Sequence, residues 1–401
     1  MNSRRAAATM PPPPPTETST LTLTPNAPAP LIRWDEGGQP QQALWRCESG
    51  GAVPHKVVLA DDRINADTAW RLASGGTVLL WRGDFHNARL LLQALARRVD
   101  RKPHKAHTPA SITEAFHLHR MAQAQRARLL GAVLIPVDAD HAIPLRRAPD
   151  LHAALGEAWG AAGGQPSVVS LRELLGLVGA HEWRKKGVEI AALKGRIHPH
   201  YGVFSPVRGE YVDLVAQAPL PSETLAFDIG TGTGVLAALL VRRGVEHVVA
   251  TDTDPRALAC AADNLARLGC TARVELLKTD LFPSGRAPLV VCNPPWLPGK
   301  PSSALEHAIY DPDSRMLRGF LSGLAAHLAP GGEGWLILSD LAEHLGLRTR
   351  ETLTSWFDAA GLRVIDRLDI RPRHPKAADS SDPLHAARAA ELTSLWRLGA
   401  V

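Results

Sequence analysis

Between residues 196 and 401, short apolar runs alternate with amphipathic stretches at nearly regular intervals. LAFDIG, VVATD, RVELLKTD, LVVCNPP and GWLILSD read as strands, and helices are expected to begin near Val235, Pro255, Ser314 and Arg348. Apolar strands at these intervals predict a parallel sheet covered by helices on both faces. LRVIDRLDI and TSLWRL follow as two more strands, with a loop of charged and small residues between them. That ending predicts an antiparallel edge hairpin.

Residues 31–195 carry a second, less regular alternation. HKVVLAD, TVLLWRG and AVLIPVD are β-prone, while ADTAWRLAS and FHNARLLLQALARRV have helical spacing. A long helix is expected over Ser111–Gly131, with Ser111 and Glu114 spaced as a capping box. ELLGLVGAHEWRKKG reads as a closing helix whose basic end, Arg184 to Lys186, complements the helix dipole. An additional N-terminal α/β domain is therefore predicted for 31–195, before a larger α/β domain at 196–401. Residues 1–30 hold five consecutive prolines and TETSTLTLTPNAPAP, too little apolar surface to offset ordering, so a disordered tail is expected.

Composition narrows the class. At 45% hydrophobic and 21% charged, the 401 residues exclude a fibrous or wholly disordered chain. The chain has no apolar run of eighteen and its first residues lack an apolar h-region, so neither a membrane span nor a secretory leader is expected. Four scattered cysteines without CxxC spacing argue against a disulfide framework or a zinc site and point to the cytoplasm. No metal is expected. The net charge of +5 divides unevenly, +8 over residues 1–200 and −3 over the remainder. A basic first half fits a polyanionic partner, and it equally fits an ordinary solvated surface.

The chemistry concentrates in the second half. Asp228-Ile229-Gly230-Thr231-Gly232-Thr233-Gly234 follows a strand and opens a helix, and glycines there let backbone approach a ligand without Cβ interference. The next strand ends in Asp252, where a carboxylate accepts from ribose hydroxyls. A dinucleotide oxidoreductase would share these features, but the spacing is GxGxG rather than GxGxxG. Asn293-Pro294-Pro295-Trp296 after the fourth strand decides between them. Two prolines fix φ and remove two N–H donors, so the Asn293 oxygen and the Pro294 carbonyl are left to accept both hydrogens of a planar NH2 group. Trp296 supplies a face for stacking, a role that Phe or Tyr would also fill. A plain strand terminator is the bland alternative.

These residues resemble the class I S-adenosylmethionine-dependent N-methyltransferases over roughly residues 195–400. The resemblance implies a seven-stranded Rossmann-like methyltransferase sheet. It implies that Asp228, Gly230, Thr231, Gly232 and Gly234 form the methionine and ribose loop, and that Asp252 is the ribose acid. It puts Asp280 of KTDLF at the adenine amino group, Leu281 beside the ring, and Asn293, Pro294, Pro295 and Trp296 at the methyl acceptor. His200–Leu214 is similar to the segment preceding the glycine loop in release-factor glutamine methyltransferases and small-subunit rRNA guanine-N2 methyltransferases. VVCNPPW also fits adenine-N6 methylases. The implied reaction is methyl transfer to an amide or exocyclic amino nitrogen. A base in RNA is the leading acceptor; a glutamine of a release factor or ribosomal protein is the alternative. A cofactor-binding scaffold without catalysis is a third class. The first half differs from the short helical module of the release-factor enzymes and looks closer to the degenerate duplicated domain of the rRNA guanine enzymes. Oligomeric state stays open.

Overall fold

A computed structural model describes residues 30–101, 109–206, 209–301, 305–372, 379 and 382–401. The expected tail lies, through residue 29, outside them. The first half opens on a hairpin, β1 (Leu31–Glu36) and β2 (Gln39–Arg46). Next come β3 (Val57–Ala60), α1 (Ala66–Ser74), β4 (Val78–Trp81), α2 (Phe85–Arg101), α3 (Ile112–Leu130) and β5 (Val133–Val137). α4 (His152–Trp159), β6 (Ser167–Ser170) and α5 (Leu171–Lys186) complete this layer. Ser111 caps α3 as its spacing predicts, its Oγ accepting from the Glu114 N–H at 3.1 Å.

The strand order is β1-β2-β6-β5-β4-β3, with β3, β4 and β5 parallel and β6 antiparallel to β5. From β3 to β6 the chain moves one way across the sheet without reversing. The second sheet, by contrast, reverses its strand order between β9 (Leu225–Ile229) and β12 (Ala287–Cys292). Sequence reading missed β1, β2 and β6. Gln39 to Gln42 of β2 are exposed, so partner strands rather than an apolar run of its own specify that strand.

A small hairpin, β7 (Val188–Ile190) and β8 (Gly195–Ile197), spans the boundary expected at residue 195. Ile190, Leu193 and Ile197 pack into the core of the second half. That half continues with α6 (Glu210–Gln217), β9 (Leu225–Ile229), α7 (Val235–Arg242), β10 (His247–Asp252), α8 (Pro255–Arg267), β11 (Val274–Lys278) and β12 (Ala287–Cys292). A short parallel pair, β13 (Leu297–Pro298) and β14 (Tyr310–Asp311), precedes α9 (Arg315–His327) and β15 (Leu328–Ser339). α10 (Leu341–His344), α11 (Arg350–Ala359), β16 (Leu362–Ile370), α12 (His385–Ala390) and β17 (Thr393–Ala400) finish it.

Among the described residues these strands form the predicted seven-stranded sheet, in the order β11-β10-β9-β12-β15-β17-β16. Alternate strand residues feed two cores. Ala226, Val248 and Leu289 pack on one face, and Phe227, Val249 and Val290 on the other. α7 is buried from Val235 through Val241, which is why its sequence is apolar all round. The predicted antiparallel edge pair forms, with β16 at the edge, but its connection carries a helix that the sequence did not announce. β17 is interior, antiparallel to both β15 and β16, and α12 lies in the connection. Leu395, Trp396 and Leu398 bury β17, whereas Val364 and Ile365 leave β16 exposed at the edge.

Candidate active site

From β9 the chain steps to β10 on one side, while β12 pairs on the other, so the switch in strand order falls between β9 and β12. Carboxyl ends at such a switch open a crevice. Register sets the floor of that crevice. Ile229 pairs with Thr251 and with Cys292, and Asp252 pairs with Lys278. The glycine loop, Asp252, Asp280 and Asn293 therefore leave neighbouring strands at one level, with strands about 4.8 Å apart.

Within the loop, Gly232 has φ +56°, and a Cβ added there would meet nothing closer than Gly230 O at 4.0 Å. Its face is open to a ligand. Gly234 has φ +77° and starts α7, where a Cβ would lie 3.2 Å from Ala261 of α8. At Gly230 a Cβ would meet Met316 Cε at 2.6 Å. Thr231 bolts the loop rather than facing a ligand. Its N–H donates to Thr251 O at 2.8 Å and its Oγ1 donates to Asp228 Oδ2 at 2.6 Å. Asp228 Oδ2 also accepts from the Ala237 N–H at 3.1 Å, while Oδ1 is buried without a partner. Burial pushes this carboxyl up to about 6.

Asp252 closes the loop from the next strand. Oδ2 accepts from the Gly232 N–H and Oδ1 from the Asp254 N–H, each at 3.0 Å. Burial raises its pKa as well. Asp280 is exposed and pairs with Arg315 at 2.8 Å. Leu281 sits at φ +64°, a conformation that costs a branched side chain about 1–3 kcal/mol. The Thr251 hydroxyl donates to its carbonyl at 2.6 Å, and its side chain lies against Gly319 of α9.

After β12, Pro294 is buried and Asn293, Pro295 and Trp296 are half-buried. The Trp296 indole Nε1–H donates to Asn293 Oδ1 at 2.8 Å. The indole N–H therefore makes a bond that Phe could not make, in addition to the ring face that the sequence reading put first. Sequence reading also missed Asn264, fully buried on α8. Its Nδ2 donates to Thr233 O at 3.0 Å and its Oδ1 accepts from the His198 N–H at 2.7 Å, tying the glycine loop to the segment before α6. An Asn among the apolar positions of AADNLARLG was the available signal.

The first half reaches both walls of the crevice. Glu48 pairs with Arg256 in the first turn of α8 at 3.1 Å, and Arg184 pairs with Asp263 at 2.7 Å. On the other wall, Arg120 of α3 pairs with Glu306 at 3.0 Å, beyond the Asn-Pro-Pro-Trp turn.

A family model, Ribosomal protein L11 methyltransferase (PrmA), matches residues 214–294, from α6 through Asn293 and Pro294. Over 183 residues the chain is 33% identical to a release factor glutamine methyltransferase of Cereibacter sphaeroides, covering 41% of this chain and 63% of that protein. It resembles the class I S-adenosylmethionine-dependent N-methyltransferases. A ribosomal protein L11 methyltransferase of Pelotomaculum thermopropionicum is 36% identical over 144 residues, 35% of this chain and 39% of that protein. A tRNA adenine N6-methyltransferase of Shewanella loihica is 29% identical over 144 residues, 33% and 59% of the respective chains. The chain thus spans less than two thirds of each of these three relatives.

The methyltransferase-like half fits the cofactor that its resemblance implies. Asp228 Oδ1 is an acceptor buried without a donor, and the open face of Gly232 lies beside the Asp252 carboxylate. Oδ1 suits a cationic amine, and Asp252 suits hydroxyl donors.

Proposed function

We propose that this protein is an enzyme that transfers a methyl group from S-adenosylmethionine to a planar amide or exocyclic amino nitrogen. The observation that carries this reading is the Asn293 carboxamide, held by the Trp296 indole at the crevice beside the glycine loop. Gly230, Gly232 and Gly234, with Thr231 and Asp228 as braces, would hold the methionine part, Asp252 the ribose, and Asp280 with Leu281 the adenine. When bound, that cofactor supplies a methyl group on a cationic sulfur.

The residues of the acceptor turn do the rest. Asn293 Oδ1 has two lone pairs, one engaged by Trp296 and one left for the acceptor's N–H. Pro294 and Pro295 fix the turn so that the Pro294 carbonyl takes the second hydrogen. Accepting both hydrogens draws the nitrogen lone pair out of conjugation and aims it into the crevice. Positioning and preorganised dipoles supply the catalysis, and no strong base is needed.

A base in RNA is the acceptor we favour. On α2, Arg89, Gln93, Arg97 and Arg101 are exposed at four-residue intervals, about 6 Å apart along the axis, a spacing suited to phosphates. None of the three arginines pairs with a carboxylate among the described residues. We read residues 31–195 as the substrate-recognition domain on this basis. A protein glutamine is the second reading, supported by the 33% identity to a release factor glutamine methyltransferase. No helix among the described residues is long and apolar enough to cross a membrane. All four cysteines are free thiols, three of them buried, which supports a reducing cytoplasm. Incubation with tritiated S-adenosylmethionine and cell extract, followed by RNase or protease, tests the reading. Label released by RNase supports RNA, label released by protease supports the glutamine, and no label overturns the enzyme in favour of a scaffold.

A further inference from the structure

We propose that Arg120, on α3 of the first half, is a positioning residue for the methyl-acceptor turn of the second half. The inference rests on the methyltransferase reading. Arg120 Nη1 donates to both carboxylate oxygens of Glu306 at 3.0 Å, and Nη2 donates to Lys300 O at 2.8 Å. The guanidinium carbon lies 4.0 Å from the Tyr310 ring centroid. One side chain thus holds three points of the excursion that leaves the acceptor turn at Leu297 and returns at Tyr310. It is only 22% exposed, so water competes weakly for these bonds.

The two ends of this excursion are locked together. Leu297 N–H donates to Ile309 O at 3.1 Å and Gly299 N–H to Asp311 O at 3.4 Å, with Leu297 paired to Tyr310 in β13 and β14. Leu297 directly follows Trp296. Its side chain is buried in a cluster with Ala115 and Phe116 of α3 and with Leu341 and Leu345. Thr113, one turn before, adds a hydroxyl bond to Leu345 O at 2.9 Å.

Asp311 connects the same excursion to the cofactor side. Its two oxygens accept from the Met316 and Leu317 N–H groups at 3.1 Å, and Met316 is the side chain facing Gly230. α3 therefore fixes where Trp296, and through it Asn293, stand relative to the glycine loop. A shift of about 1 Å at such a turn costs up to about a hundredfold in rate.

The test compares Arg120→Ala, Arg120→Lys and Glu306→Ala with the wild type. Methyl transfer from tritiated S-adenosylmethionine to cell extract should fall about 10- to 100-fold in maximal rate for Arg120→Ala. S-adenosylhomocysteine affinity by calorimetry should stay unchanged. Glu306→Ala should reproduce much of the loss, and the double variant should lose less than the sum of the two. Arg120→Lys should recover only part, because an ammonium cannot span both acceptors as a planar fork does. Amide hydrogen exchange over 297–311 should quicken in Arg120→Ala while 225–254 holds. An inactive wild type would refute the methyltransferase reading, and the exchange pattern would still judge the clamp. Unchanged exchange at 297–311, or a uniform rise across the domain, overturns it.

Discussion

Trp296 donates its indole N–H to Asn293 Oδ1 at 2.8 Å, so the aromatic residue of the acceptor turn also aims the amide. The bond spans three residues across two prolines that cannot donate. Trp296→Phe keeps the face and removes the pin. Its maximal methyl-transfer rate should drop about tenfold or more, with a smaller change in acceptor KM; a rate equal to wild type would reduce Trp296 to a stacking surface.

Asn293→Ala removes the acceptor itself. Turnover should fall by about two to three orders of magnitude, the usual cost of losing one preorganised polar group. S-adenosylhomocysteine affinity should persist, because Asp252 and the glycine loop sit on other strands. Wild-type turnover in this variant would make the turn a mere strand terminator.

Asp252→Ala acts on the opposite wall. Losing the carboxylate deprives ribose hydroxyls of a charged acceptor, at about 1.5–3 kcal/mol per bond. It also frees the Gly232 and Asp254 N–H groups. Calorimetry with S-adenosylhomocysteine should register an affinity loss of at least tenfold.

Asp228 gives a pH signature. Its folded pKa of about 6 exceeds the ordinary 3.8 because burial disfavours the charge. The folded protein thus holds a proton that the unfolded chain releases between these values. The stability this contributes is fully present below about pH 4 and is lost as pH rises through 6, about 3 kcal/mol in all. Asp228→Asn cannot ionise, so denaturation of the ligand-free protein should show that much less decline between pH 4 and 6. An unchanged slope would place the titration elsewhere.

The α2 arginines carry the choice of acceptor. Replacing Arg89, Arg97 and Arg101 with glutamine should weaken RNA binding and flatten its salt dependence, by about 0.7 in the logarithmic slope for each lost single-strand phosphate contact. Binding that keeps its salt slope would favour the protein glutamine.

Much of the second half was legible in the sequence because its strands are buried on both faces. LAFDIG, VVATD and LVVCNPP are short, mostly apolar runs, and the residues that end them fall at the carboxyl edge of a parallel sheet. The glycine loop, Asp252 and Asn-Pro-Pro-Trp could therefore be assigned to one crevice by position alone. Tertiary structure decided what depends on partners distant in the chain. β17 pairs with β15 as well as with its edge neighbour β16, and burial of Leu395 and Leu398 keeps it inside the sheet. β2 forms with its glutamines exposed because neighbouring strands satisfy its backbone. Asn264, Glu48 and Arg120 look like ordinary helix or loop polar residues in sequence. Only the fold brings Asn264 to the glycine loop, Glu48 to α8, and Arg120 to Lys300 some 180 residues away. Hydrophobic period is a local property that a sequence displays, whereas a hydrogen-bond partner is fixed only when two elements pack.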